Sequence, residues 1–169
     1  MYIRTSGSNA RRVRSRGFTL IEILLGASML ALFIVSIALY YRKALEVSQE
    51  TTHHIQAGFL LEEGIEAVKS MRDDGWTTYI ATLNPGTSYY LYWNGSKWRA
   101  TTTPLQVENT FWRSVILSSV NRDVNDDIVT TGGSADAGTR KVRVDVTWNK
   151  KTASSTESIE TYITNLFNN

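Results

Sequence analysis

Residues 16–42 read RGFTLIEILLGASMLALFIVSIALYYR, and the layout of everything after them depends on what that run does. Positions 18–41 are 24 residues with one charged side chain, Glu22, and a bilayer core about 30 Å thick is crossed by roughly 20 residues of helix. The run is therefore expected to span a membrane. Ahead of it stand Arg4, Arg11, Arg12, Arg14 and Arg16, with no Asp or Glu before Glu22. Basic flanks stay on the cytoplasmic side, which puts the remainder of the chain outside. A carboxylate near the start of an apolar span costs on the order of 3 kcal/mol unless it is paired or close to the headgroups, and no cation lies one turn from Glu22 within the span. Its partner has to come from elsewhere, or the group has to stay at the membrane surface.

A secretory signal peptide places its cleavage site after a shorter apolar core, whereas here the small residue, Gly17, precedes the core. A cut between Gly17 and Phe18 removes only the basic segment and leaves a new amino terminus four residues from Glu22. Four residues of helix rise about 6 Å and turn past a full revolution, so amine and carboxylate do not easily meet along one rigid helix. Two subunits staggered along their axes bring them together. Charges that find partners only in an assembly set register more than they add net stability.

The run Gly17-Phe18-Thr19-Leu20-Ile21-Glu22, after a basic leader and before an uncharged apolar helix, resembles the class III signal of type IV prepilins and type II secretion pseudopilins. The resemblance implies that a membrane prepilin peptidase cuts after Gly17 and N-methylates Phe18. It implies that Glu22 then neutralises the terminal amine of an adjacent subunit in a helical filament. It also implies a single-pass protein of the bacterial inner membrane, N-terminus cytoplasmic, held in lipid before assembly and afterwards partnered by other pilin or pseudopilin subunits in a pilus or pseudopilus. The sparse small residues and the aromatic-rich domain lean towards a minor component. The likeness is close over residues 17–41 and loose beyond. The leader of 17 residues is longer than in many such prepilins, and the proline that many major pilins carry later in the span is missing, which predicts a straighter helix.

With 169 residues in all, the expected organisation is a leader over 1–17, a transmembrane and filament-core helix over 18–41, an amphipathic continuation over 42–75, and an extracytoplasmic β-sheet domain over 76–169. The overall charge of +2 is a leader effect: without the five leader arginines, 13 Lys and Arg face 16 Asp and Glu, a net of −3. No nucleic-acid partner is expected for such a domain, since phosphate needs a concentrated basic patch. There is no cysteine, so packing alone has to hold the domain, without the disulfide of many pilins.

No proline interrupts residues 42–72, so the helix is expected to continue; from 18 to 72 it would be 55 residues, roughly 80 Å. Leu45, Thr52, Ile55 and Phe59 fall on one side, and Leu61, Ile65, Val68 and Met71 on nearly the opposite one. The first set suits neighbouring helices and the second this subunit's own sheet, with a kink at Gly58 or Gly64 as the alternative. His53 and His54 point in different directions and are expected in solvent; Glu62, Glu63 and Glu66 read as a solvated face. Asp73-Asp74-Gly75 ends the helix, and residues 76–83 read as a loop or short strand.

Residues 88–101 contain two β-prone runs joined by Asn94-Gly95, the strongest short hairpin signal; Asn94-Gly95-Ser96 also fits a glycosylation sequon, which the turn explains better. Strands are expected over 110–120, over 140–148 with Val142, Val144, Val146 and Trp148 on one face, and over 158–166 with Ile159 and Ile163 facing in. The fold class is α+β: a long N-terminal helix packed on a C-terminal antiparallel sheet. Between strands, Asp123, Asp126, Asp127 and Asp136 form a conceivable calcium loop, although their spacing is not that of an EF-hand.

An enzyme reading finds no cysteine nucleophile, no His-x-x-x-His pair, no phosphate-binding glycine loop and no GxSxG elbow. No cofactor is expected. The competing reading is an uncut, membrane-tethered domain that binds a ligand through its aromatic hairpin, Tyr89, Tyr90, Tyr92, Trp93 and Trp98.

Overall fold

The computed structural model describes residues 17–150 and 153–167; apart from Gly17, the expected leader lies outside the described residues. The chain divides into two compact units, Met1–Val47 and Ser48–Asn169. Helix α1, Leu20–Asp74, contributes to both.

In the first unit Thr19 caps the helix. Its carbonyl accepts from the amides of Glu22 and Ile23 at 3.0 and 3.2 Å, and its hydroxyl accepts from the Glu22 amide at 3.4 Å. Every side chain from Phe18 to Val47 is exposed. The hydroxyls within the apolar run are satisfied by the helix itself, Ser28 donating to the Leu25 carbonyl and Ser36 to that of Leu32, both at 2.8 Å. This removes their penalty in an apolar surround. Among the described residues α1 is the one helix long and apolar enough to cross a membrane.

In the second unit α1 packs on an antiparallel sheet, giving the expected α+β arrangement. The strands are β1 (Ser88–Trp93), β2 (Trp98–Thr101), β3 (Gln106–Val107), β4 (Phe111–Arg122), β5 (Ile128–Val129), β6 (Ser134–Asn149) and β7 (Ser154–Thr164). Their order is β2-β1-β4-β6-β7, with the short β3 and β5 both against β4. Strict alternation builds the core: Phe111, Val115 and Leu117 of β4 and Val142, Val144, Val146 and Trp148 of β6 turn inward and are at most 1% exposed. Burying each such side chain contributes about 1.5–3 kcal/mol. Against them α1 sets Ala57, Leu61, Gly64, Ile65, Ala67, Val68 and Met71, all buried, while Ile55 and Phe59 stand out in solvent. The predicted exchange of faces is present.

The helix does not break at either glycine. Gly64 sits where α1 lies close against β6: a Cβ there would be 2.7 Å from Val144 Cγ1. The glycine permits this approach because it has no Cβ. Gly75, at φ +154°, ends α1 as expected, but residues 76–83 are not a strand. Trp76–Ile80 form a single π-helical turn that buries Trp76 and Ile80.

The hairpin exists with a different turn. Trp93 pairs with Trp98, so the connection is four residues, closed by Asn94 N–H donating to the Lys97 carbonyl at 3.1 Å. Only Gly95 adopts positive φ. The Asn94 side chain is spent inside the loop, accepting from the amides of Ser96 and Lys97 at 3.1 and 2.9 Å. That is an Asx-type closure in place of a two-residue turn. In β7, Ile163 is buried, but Ile159, although in register with Val144, is 38% exposed because β7 is the edge of the sheet.

Candidate functional site

Gly17, Phe18, Thr19 and Glu22 line one shallow depression at the start of α1. Thr19-Leu20-Ile21-Glu22 has the spacing of a capping box, a local signal legible in the sequence. Only half of the box forms: the Glu22 amide donates to Thr19, and among the described residues the Glu22 carboxylate has no hydrogen-bond or ion-pair partner. The amino end of the helix dipole favours an anion there by about 0.3–1 kcal/mol, which keeps a carboxylate tolerable without neutralising it. Phe18 stands 76% exposed beside it. The geometry offers a free carboxylate at the mouth of an exposed apolar rod, able to receive a cation from another molecule.

The other candidate residues fall elsewhere. Asp123, Asp126 and Asp136 line one open depression together with Arg122, and among the described residues no three His, Cys, Asp or Glu side chains are placed to hold a metal ion. Asp123 instead accepts from the amides of Asn125 and Asp127 at 2.9 and 3.0 Å, an Asx closure of its own loop. Asp136 pairs with Arg122 Nε at 2.7 Å. Hydrogen bonds from Thr139 and then from Arg122 hold its carboxyl at about 2, below its ordinary 3.8. The Arg122 guanidinium thus supplies the positive charge beside Asp136.

The histidines diverge as expected but are not simply solvated. His53 meets Phe111 edge-on at 5.8 Å between ring centroids. His54 stands between Glu50 and Glu157, at 3.0 and 2.6 Å, with Trp148 5.0 Å from its ring. Of the glutamates, Glu66 pairs with Lys69 at 2.7 Å, but Glu63 reaches the buried Arg113 at 2.5 Å, a contact helix periodicity alone does not reveal. The hairpin rings divide between the two sheet faces: Tyr89 is buried on the helix side, and Trp93 and Trp98 meet edge-on at 5.8 Å.

Comparison with family models, with curated proteins and with solved structures finds no match to this chain.

Proposed function

We propose that this chain is a pilin-like structural subunit, cut after Gly17 by a prepilin peptidase, N-methylated at Phe18, and assembled into a helical filament through its N-terminal helix. The observation that carries the reading is the unpartnered Glu22 carboxylate at the start of a fully exposed apolar helix, four residues from the cleavage position. A cut at Gly17 supplies an ammonium that the same helix cannot easily fold onto Glu22, and a staggered neighbour presents it. Helix–helix contacts replace lipid contacts, and such a heterologous interface extends by translation and rotation instead of closing on itself. No chemistry is asked of the protein; its work is adhesion between copies or between sister subunits.

Intact mass and terminal sequencing of protein taken from its native membrane test the proposal. The expected product starts at N-methyl-Phe18, and Glu22→Ala remains inserted and folded but is poorly incorporated into filaments. A product starting at Met1, or wild-type incorporation of Glu22→Ala, overturns it. A Met1 start would leave the tethered binding domain as the better account.

A further inference from the structure

His54 is half exposed, yet both of its ring nitrogens are engaged. Nε2 lies 3.0 Å from Glu50 Oε1, one turn back on α1, and Nδ1 lies 2.6 Å from Glu157 Oε1 on β7. Ionised carboxylates only accept, and a neutral imidazole carries one donor and one acceptor. A neutral ring therefore satisfies one glutamate and sets a lone pair against the other. The arrangement fits the imidazolium, which donates from both nitrogens.

The surrounding charges favour the same form. Facing the ring are Glu50 from α1, Glu157 from β7 and the Trp148 ring of β6, edge-on at 5.0 Å. Lys150, in the turn between β6 and β7, pairs with the same Glu50 oxygen, and hydrogen bonding from it is the main reason the Glu50 carboxyl lies below its ordinary value. His53, next along α1, turns to Phe111. Two carboxylates against one ammonium leave the cluster one negative charge in surplus, and a doubly protonated His54 cancels it.

The place of the contact gives it leverage. Strand β7 is the edge of the sheet, and of its residues only Ile163, near its far end, is buried. On the helix-facing side, Ser155 and Glu157 stand opposite Trp148 and Val146. The first half of β7 is thus tied to α1 by Glu157, while the second half is anchored in the core by Ile163.

We propose that His54, Glu50 and Glu157 form a pH-operated latch between α1 and the edge strand, closed when the imidazole carries both protons and open when it loses one. Histidine changes charge between about pH 5 and 8. Because the charged form is the one the fold binds, the latch adds stability at the acid end of that range and loses it as pH rises. All its parts lie in the second unit, so the inference is independent of cleavage at Gly17.

A double-mutant cycle on the full-length protein in detergent micelles tests it, by urea unfolding at about pH 5.5 and at about pH 8. At the lower pH, His54→Gln and Glu157→Gln should each lower the folding equilibrium constant about threefold to fivefold, the size of half-exposed ion pairs. The double variant should lose no more than His54→Gln alone. At the higher pH, His54→Gln should stay within about twofold of the parent, and Glu157→Gln should cost nothing, since the cluster then has a negative charge to spare. The latch is overturned if the losses at the lower pH add, which would make the two side chains independent. It is overturned equally if His54→Gln costs the same at both pH values, which would assign the contact to a neutral hydrogen bond, or if neither variant changes stability at the lower pH.

Discussion

Position 113 is an inward slot of β4, and strict alternation assigns it to an apolar side chain, yet it holds an arginine that is 3% exposed. Its guanidinium reaches Glu63 Oε2 at 2.5 Å and lies 5.1 Å from the Trp98 ring, so α1, β4 and β2 share one charge. A buried cation deprived of its partner is expensive, by about 3–5 kcal/mol where both groups are buried. Glu63 is half exposed, and water recovers part of the loss. Glu63→Ala should therefore cost about 2 kcal/mol, whereas Glu63→Ala/Arg113→Met, which removes the orphaned charge and keeps the volume, should recover most of it. Urea unfolding of the full-length protein followed by tryptophan fluorescence measures both. The pair was not legible in the sequence, because helix periodicity places Glu63 among solvated glutamates and its partner lies 50 residues on. Glu22 was legible for the opposite reason: its oddity is local, one acid in an oily run.

Between elements, the two glycines of α1 look alike in sequence and differ in what surrounds them. Nothing lies within 4 Å of a Cβ added at Gly58, while one at Gly64 meets Val144 Cγ1 at 2.7 Å and Arg113 Cδ at 3.3 Å. Gly58→Ala should raise stability by up to about 1 kcal/mol through helix propensity. Gly64→Ala should lower it by about 1–3 kcal/mol, since α1 or Val144 has to move. Opposite shifts of the urea midpoint are the expected result. The same contrast explains which elements could be read ahead of the structure. Strand β6 declares itself by alternation, β4 by its apolar-rich run, and the helix faces by period. The four-residue loop after Trp93, the π-helical turn at Trp76–Ile80 and the exposure of Ile159 are set by long-range pairing and by position at the sheet edge, which no local window contains.

At the scale of the molecule, the first unit keeps its apolar side chains outside, and the second is held by an apolar core tied at its periphery by three carboxylates. Asp74 joins the end of α1 to Lys97 and Arg99 of the hairpin. Glu50 joins α1 to Lys150 at the β6–β7 turn and to His54. Asp136 joins the start of β6 to Arg122 of β4. Each carboxyl is held below its ordinary value, Asp74 chiefly by hydrogen bonding from Lys97 and Glu50 chiefly by hydrogen bonding from Lys150. A carboxylate whose folded value is depressed adds stability that is complete above its unfolded value and is lost as pH falls towards the folded one. For Asp136 that window runs from 3.8 down to about 2. Acid should therefore release the ties before it touches the core, so that stability falls steeply below about pH 4 while far-UV signal from the sheet persists. Asp136→Asn keeps the shape and removes the charge. Its deficit relative to the parent should be largest at neutral pH, should have mostly gone by about pH 2 and should vanish only below it, in urea midpoints taken at each pH; a deficit that stays constant down to that pH would show that Asp136 acts through shape and not through its charge.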